Sequence, residues 1–306
     1  MIGFLKDKPR VLVEATRAKF KPHPLVQILI FLGLLLVARI VIAIPAMAIR
    51  AIRSSTYGVT EYGLTWWTNI LLVLGIGIYV LYVKFIEKRP LSSMGFRRKG
   101  ALKQYCLGFL LGIAMIAAAL GISMLAGGTR YEGIAMTTPA GILLLWFVGF
   151  IIQGMSEEVT FRGYYLVSAS LRMPVMWAVV ISSVIFASLH LFNKGINVLS
   201  FTNLLLYGLF TAFYFLRTNN IWGIAAQHSA WNYVQGNIFG IPVSGTHVDA
   251  RLFSFANTGE ADIVSGGGFG LVGGLAVTAV FMTAILLTLF LPRKSKTGMQ
   301  SFATEC

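Results

Sequence analysis

The sequence predicts an all-α, polytopic integral membrane protein with about eight transmembrane helices around an intramembrane polar cavity. Composition is the first reason, because 57% of the 306 residues are hydrophobic and 12% are charged, against about 25% charged residues in a soluble domain. The second reason is a series of long apolar runs, and the third is that basic residues lie between those runs. These features are typical of a chain that crosses the bilayer several times.

Eight apolar runs approach the roughly 20 residues that a helix needs to cross the bilayer. They are residues 25–49, 64–85, 105–126, 139–167, 174–191, 199–216, 221–239 and 269–291. The fourth run is longer than one crossing and becomes polar beyond Gln153. It is therefore either a tilted helix or a span that is followed by an interfacial turn.

Basic residues alternate between the connections and predict the orientation. They are concentrated before the first run, after the second run and after the last run: Lys6, Lys8, Arg10, Arg17, Lys19, Lys21; Lys88, Arg89, Arg97, Arg98, Lys99, Lys103; Arg293, Lys294, Lys296. Positive residues favour the cytoplasmic side, so both termini are expected there, which requires an even number of spans. We expect a basic segment 1–24, a membrane domain 25–291 with its polar motifs at 139–239, and a tail 292–306.

Composition also argues against several other classes of protein. The net charge of +14 does not indicate a nucleic-acid partner, because the basic residues lie where topology-setting charges lie. Two cysteines do not make a disulfide framework. The glycines of the segment 268–273 match a dinucleotide fingerprint by letters, but that fingerprint needs a preceding strand. We therefore expect no cofactor and no bound metal.

Two adjacent acidic residues, Glu157 and Glu158, stand beside an apolar run in a chain with only 11 acidic residues. Carboxylates at membrane depth are costly and are usually functional. Glu158 and Arg162 are four residues apart on a helix, so an ion pair between them is expected. Glu157 is rotated by about 100° from Glu158. It is expected to face a cavity, where it suits the role of a general base.

Two of the four histidines lie in apolar runs with a partner at helical spacing. His190 is four residues after Phe186, and His228 is four residues before Asn232. An imidazole and an amide together can donate to a developing oxyanion, and they can equally bind a metal or relay protons. A single histidine in a membrane helix is often a packing hydrogen-bonder. The whole set of polar residues is costly enough to favour a functional site.

Three short motifs therefore occur in order on successive apolar segments: Glu157-Glu158-x-x-x-Arg162, Phe186-x-x-x-His190 and His228-x-x-x-Asn232. In order, spacing and placement they resemble the motif set of the CAAX protease and bacteriocin-processing family. This family is also called the Abi or Rce1-like family of glutamate intramembrane proteases. The resemblance covers the fourth to the seventh apolar runs.

The resemblance implies an eight-span helical core around a conical cavity, and hydrolysis of a peptide bond. It implies roles for six residues: water activation by Glu157 and His190, an oxyanion site at His228 and Asn232, and support by Glu158 and Arg162. The substrate does not follow from the fold, because some members cut after a prenylated cysteine and others are linked to bacteriocin immunity or maturation. The expected partners are the lipid bilayer and a peptide or membrane-anchored protein, in the bacterial cell membrane.

Two other functions are compatible with the same residues. One is a non-proteolytic membrane protein, such as an immunity scaffold or a proton-coupled carrier. The other is a zinc metalloprotease in which Glu157, His190 and His228 hold the metal.

The depth of Glu157 and His190 in the membrane raises a separate question. Glu157 lies about 27 Å along the fourth run, and His190 lies about 24 Å along the fifth run, which crosses in the opposite direction. They meet only if the fourth helix continues further, or if the site is displaced from ideal crossings.

Overall fold

The computed structural model describes residues 8–56, 61–135, 138–248 and 250–291. Two features of the charge pattern lie outside these residues: Lys6 and the basic tail 292–306. Nine helices are labelled here in chain order: α1 Arg10–Ala15, α2 Pro24–Thr56, α3 Glu61–Leu81, α4 Ala101–Leu125, α5 Ala140–Glu158, α6 Val175–Ser188, α7 Val198–Thr218, α8 Ile221–Tyr233 and α9 Leu275–Phe290.

Three of these helices continue directly into π-helical turns. The extensions are Tyr82–Glu87 after α3, Val159–Leu166 after α5 and Val234–Ile238 after α8. The α5 extension ends in one further α-helical turn, Val167–Ala169. Short helical turns complete the described secondary structure outside the strands: Leu91–Met94, Asp262–Ser265, Gly267–Phe269 and Leu271–Gly273.

Each of the eight predicted apolar runs overlaps one of the helices from α2 to α9. By length and composition, five described helical segments can cross a membrane: Pro24–Ile49, Asn69–Glu87, Ala101–Leu125, Ala140–Ala169 and Val198–Thr218. The apolar helices α6 and α9 are shorter, and α8 has 13 residues. A polytopic helical protein is thus what the structure describes, while the number of eight crossings stays a prediction.

The all-α prediction is corrected by a small antiparallel sheet. Strand β1, Thr129–Ile134, pairs with strand β2, Phe253–Asn257, with an irregularity between Tyr131 and Gly133. The sequence did not reveal these strands because each is short, and the alternation of polar and apolar residues in β2 covers only Phe253 to Phe255. Their stability comes from pairing across more than 100 residues of chain, which local patterns do not report. The sheet ties the long connection before α9 to the connection after α4.

Asparagines shape the turn that brings α8 back from α7. Asn219 ends α7 with a φ of 53°, a left-handed conformation that asparagine tolerates better than most residues. The next residue, Asn220, accepts a hydrogen bond from the Trp222 amide at 2.9 Å and so caps α8. The chain therefore reverses within two residues, and α8 carries its polar side chains back into the protein.

Helix α8 is surrounded by protein, because small residues let its neighbours approach closely. At Gly154 of α5, a Cβ atom would lie 2.8 Å from the Ser229 amide nitrogen. On α4, a Cβ at Gly108 or Gly112 would overlap the backbone carbonyls of Gly223 or Gln227. Such close helix packing is a common use of glycine in membranes. It removes α8 from lipid, so the helix can hold a histidine and an asparagine.

A buried ion pair between Glu87 and Arg89 joins the end of α3 to the α5 extension. Both side chains are almost fully buried. The Arg89 guanidinium also donates to the hydroxyls of Ser93 and Ser168 and to the Gly163 carbonyl. The Ser168 hydroxyl in turn donates to Glu87 at 3.0 Å. This cluster anchors the connection between α3 and α4 against the α5 extension.

Candidate active site

The extension of α5 places Glu157 and His190 at similar depth. Glu157 lies within one helical run, Ala140–Ala169, about 18 Å from its Ala169 end at 1.5 Å per residue. Helix α6 returns from Val175, and His190 lies about 22 Å from that start. The two residues therefore differ by only about 4 Å in depth. Of the two arrangements that allow Glu157 and His190 to meet, the structure has the longer helix.

Glu158 and Arg162 form the ion pair that their spacing predicts. Both side chains are fully buried, with Arg162 Nη1 3.3 Å from Glu158 Oε1. The same carboxylate oxygen lies 2.9 Å from His228 Nδ1 on α8. Arg162 also donates to the Gly208 carbonyl on α7 and lies 4.9 Å from the centroid of the Phe186 ring on α6. One buried charge pair thus connects four helices.

Glu157 is linked to Asn232 through Gln153. The Gln153 amide group donates to Glu157 Oε1, and its carbonyl oxygen accepts from Asn232 Nδ2 at 2.9 Å. Glu157 Oε2 lies 3.7 Å from His228 Nε2. The Glu157 side chain keeps 28% of its surface exposed, whereas Glu158 is fully buried. The two adjacent carboxylates therefore have different environments, as their positions on the helix predict.

His190 lies in the turn after α6 and is held by Phe186. Its Nδ1 is 2.9 Å from the Phe186 carbonyl oxygen, and the two rings are 5.0 Å apart. Because a carbonyl oxygen only accepts, Nδ1 must donate, and in a neutral ring Nε2 then carries the lone pair. Phe186 and His190, which are four residues apart in the sequence, are thus in contact in the structure. This contact leaves one nitrogen of His190 able to accept a proton.

Two neighbouring cavities meet at Glu157 and His190. The first cavity, about 270 Å³, also includes His228, Asn232 and Tyr207 in its wall. The second cavity, about 310 Å³, extends instead towards α2 and α3. Five residues border both: Asn69, Gln153, Glu157, His190 and Asn193. The structure therefore brings Glu157, His190, His228 and Asn232 to one cavity, with Glu158 and Arg162 buried beside it.

Sequence reasoning missed several polar residues at this site. Gln153 had a detectable signal, because it precedes Glu157 by four residues on the same helix. Tyr207 had none, although its hydroxyl donates to Gln227 at 3.0 Å and its ring packs 5.1 Å from that of His228. Asn69 and Asn193 come from other elements. Only the packing of the helices shows that they border the cavities.

The arrangement provides a partly exposed carboxylate, an imidazole with a free nitrogen, and an amide donor around one space. These groups suit proton transfer from water and stabilisation of an oxyanion. In the part of the chain that the structure describes, no three His, Cys, Asp or Glu side chains are grouped as metal ligands are. Metal removal from the purified protein tests the zinc hypothesis for Glu157, His190 and His228.

Comparison with protein families finds one match. Residues 138–234, about a third of the chain, match the family model described as type II CAAX prenyl endopeptidase Rce1-like. This segment contains all six candidate site residues, from the end of the β1 connection to the end of α8. No curated protein matches the chain. The family match and the apolar helices together identify an integral membrane protein whose partner is the lipid bilayer.

Proposed function

Since residues 138–234 are Rce1-like, we propose that this protein is an intramembrane endopeptidase of the CAAX type. It hydrolyses a peptide bond in a membrane-associated protein or peptide, and prenylated peptides are the first class of substrate to test. The observation that supports this most is that Glu157, His190, His228 and Asn232 border one cavity. The fully buried pair of Glu158 and Arg162 lies directly behind it.

In the proposed reaction, Glu157 and His190 activate a water molecule that occupies the space between them. The water oxygen attacks the carbonyl carbon of the scissile bond, and its proton passes to Glu157 or to Nε2 of His190. The carbonyl oxygen becomes an oxyanion. The same proton is later given to the leaving amine when the carbon–nitrogen bond breaks. A positioned acid–base group of this kind contributes about 10²–10⁴-fold to a rate.

His228 and Asn232 stabilise the oxyanion in this mechanism. Asn232 donates one amide hydrogen to Gln153, so its second hydrogen is available. His228 Nδ1 is engaged by Glu158, so Nε2 donates to the oxyanion only when the ring carries both protons. Glu158 and Arg162 act as positioning residues, because they hold the imidazole through Nδ1 and do not face the cavity.

Cleavage of defined peptides tests the proposal. The purified protein in liposomes is incubated with fluorogenic membrane-tethered peptides, prenylated and unprenylated, and cleavage sites are read by mass spectrometry. Glu157→Gln is expected to lose activity by about 10²–10⁴-fold while it stays folded. Glu132→Gln is the matched control, since Glu132 is an exposed carboxylate in an ion pair on β1. Glu157→Gln at the wild-type rate refutes the role of Glu157; no cleavage by the wild type favours an immunity scaffold or a carrier.

Metal removal separates the two hydrolytic mechanisms. If water is activated by Glu157 and His190, activity survives exhaustive chelation, and added zinc does not increase it. Asn232 supports this expectation, because an amide is a poor zinc ligand beside histidine, cysteine and carboxylate. Loss of activity on chelation that zinc restores would instead assign Glu157, His190 and His228 as metal ligands. Metal content of the purified protein is measured alongside.

We also propose that the protein lies in the bacterial cell membrane with eight crossings and both termini in the cytoplasm. Cysteine labelling tests this directly, because Cys306 already marks the C-terminus. In a Cys106→Ala background, Glu260→Cys adds a second label on the exposed connection before α9. An impermeant reagent is expected to label residue 260 in intact cells and Cys306 only after the membrane is opened. Labelling of both from the same side contradicts the eight-span arrangement.

A further inference from the structure

Arg39 is a charged residue within an apolar membrane-spanning segment. It is the only charged residue from Pro24 to Ile49, a stretch of 26 residues that is long and apolar enough to cross the bilayer. With a rise of 1.5 Å per residue, Arg39 lies about 4 Å from the middle of this stretch. A charged side chain at such depth is costly and usually faces a cavity or a partner.

Arg39 is exposed at the edge of the second cavity, whose wall also includes Glu157 and His190. Apart from Glu157 and His190, the other lining residues of that cavity carry no charge, and several are polar: Asn69, Tyr79, Gln153, Ser156, Thr160 and Asn193. No ion pair joins Arg39 to a carboxylate among the residues that the structure describes. A cation that has no carboxylate partner among the described residues therefore borders the same cavity as the carboxylate that is proposed to activate water.

The two cavities give a peptide a path across the site. Glu157 and His190 border both of them, while His228 and Asn232 border the first and Arg39 the second. A peptide bond held between Glu157 and His190 would direct its carbonyl oxygen towards Asn232. The part of the peptide on one side of that bond would then occupy the second cavity, next to Arg39.

We propose that Arg39 binds a carboxylate of the peptide substrate in the second cavity and so helps to select which bond is cleaved. This inference rests on the proposed peptidase function and adds a specificity residue to it. A guanidinium presents a planar set of donors that matches a carboxylate with two parallel hydrogen bonds. The carboxylate is either the C-terminus of the substrate or an acidic side chain.

The alternative binding partner of Arg39 is a lipid headgroup. The side chain would have to reach that headgroup along the protein surface. Depth argues against it, because Arg39 is about 15 Å from Ile49 and about 22 Å from Pro24 along the helix. Long side chains reach the interface from positions near helix ends. A central arginine that borders a polar cavity is better placed to contact a ligand inside that cavity.

Binding of matched peptides tests the proposal without requiring cleavage. The protein is purified with Glu157→Gln, so that peptides are not consumed. Three fluorescent S-farnesylated hexapeptides of one parent sequence are used: one ends in a free carboxylate, one in a carboxamide, and one in a carboxamide with glutamate as its last residue. Dissociation constants are measured by fluorescence anisotropy in detergent, and anionic lipid is then added as a competitor.

A carboxylate-containing peptide is expected to bind about 10- to 100-fold more tightly than the plain amide. Preference for the free terminus identifies a C-terminal carboxylate, and preference for the glutamate peptide identifies an acidic side chain. Arg39→Gln should remove the preference, and Arg39→Lys should keep part of it. Arg98→Gln, which changes an exposed arginine that lines neither cavity, is the control and should leave the preference unchanged.

Equal binding of all three peptides overturns the proposal, and this result does not depend on how any Arg39 variant folds. A preference that persists in Arg39→Gln also overturns it, as does a preference that anionic lipid abolishes. The outcome is separate from that of the peptidase test. If binding is selective for a carboxylate but the wild type cleaves no peptide, the Arg39 site is supported and the peptidase function is refuted. If the wild type cleaves peptides without any carboxylate selectivity, the peptidase function is supported and the Arg39 site is refuted.

Discussion

Two buried arginine–carboxylate pairs lie among the residues that the structure describes, and they differ in what surrounds them. Arg89 is paired with Glu87 and uses its remaining donors on two serine hydroxyls and a backbone carbonyl. Arg162 is paired with Glu158, but its Nε has no hydrogen-bond partner among the described residues. The partners of the first pair lie in the connection after α3 and in the α5 extension. The second pair shares its carboxylate with His228.

The comparison shows how a buried charge pair can serve structure in one place and a site in another. Burial alone does not distinguish them, since all four side chains are at most 1% exposed. The distinction comes from the next contact. The partners of Arg89 are groups that cannot take part in acid–base chemistry near neutral pH, whereas the partner of Glu158 is an imidazole that borders a cavity next to a second carboxylate.

The largest expected effect is on stability, and it should be similar for both pairs. Glu158→Gln and Glu87→Gln each leave a buried arginine without its counter-charge, which costs about 3–5 kcal/mol. Thermal unfolding in detergent measures this. Activity per folded molecule should then separate the pairs, because only Glu158→Gln disturbs His228. If Glu87→Gln loses the same specific activity as Glu158→Gln, the division into a structural pair and a site pair is wrong.

Asn232→Ala tests the proposed oxyanion donor at the first cavity. Loss of an oxyanion donor costs about 2.7–4 kcal/mol, or 10²–10³-fold in kcat, and KM should change little. Asn203→Ala is the matched control, because Asn203 is a buried asparagine whose amide donates only to the backbone carbonyls of Val272 and Gly274. The control should lower the unfolding temperature and leave kcat near normal. A larger fall in kcat for Asn203→Ala would contradict the assignment.

A smaller effect is expected for Gln153→Leu, which breaks the link between Glu157 and Asn232. Misplacement of reacting groups by about 1 Å can cost up to 10²-fold in rate, so a loss of about 10- to 100-fold in kcat is expected. Gln27→Leu provides the comparison, since Gln27 is buried and donates to Tyr164 at 3.0 Å, and neither residue lines the two cavities. Steady-state kinetics of both variants decide whether Gln153 positions the site or only packs.

The smallest effect concerns a third, more exposed charge group at Glu14, which pairs with Arg10 and Arg97. Burial raises the pKa of Glu14. Hydrogen bonds from Ser92 and Arg97 and the charge of Arg97 lower this pKa by more than burial raises it, so the pKa is lowered overall. Its stabilisation is therefore present above the ordinary pKa of 4.5 and is lost as the pH falls through the lowered value.

Glu14→Gln should accordingly reduce stability by less than about 1 kcal/mol at neutral pH. The difference from the wild type should shrink as the pH falls below 4.5 and should be smaller in high salt. Unfolding midpoints measured across pH and salt provide the check. A loss as large as that of Glu87→Gln would mean that the docking of α1 depends on this carboxylate far more than its exposure indicates.

The class of protein and the contacts within single helices could be predicted from local sequence alone. The apolar runs predicted a helical membrane protein, because hydrophobic length and charge placement report directly on the bilayer. Spacing of four residues correctly predicted the contact of Glu158 with Arg162, since the period of the helix sets that distance. Phe186 and His190 have the same spacing and are also in contact, although His190 lies in the turn after α6. The match of residues 138–234 to the Rce1-like model confirmed the family that the motifs resembled.

Only the tertiary structure decided which residues from different helices meet. The contact of Glu158 with His228, the link from Gln153 to Asn232 and the place of Arg39 beside Glu157 depend on how each helix is rotated and how far it continues. The predicted run 139–167 covers the extension of α5, but neither its π-helical form nor the pairing of β1 with β2 could be predicted from the sequence. Sequence period determines one helix face at a time, whereas a site between helices is determined by packing, which involves residues far apart in sequence.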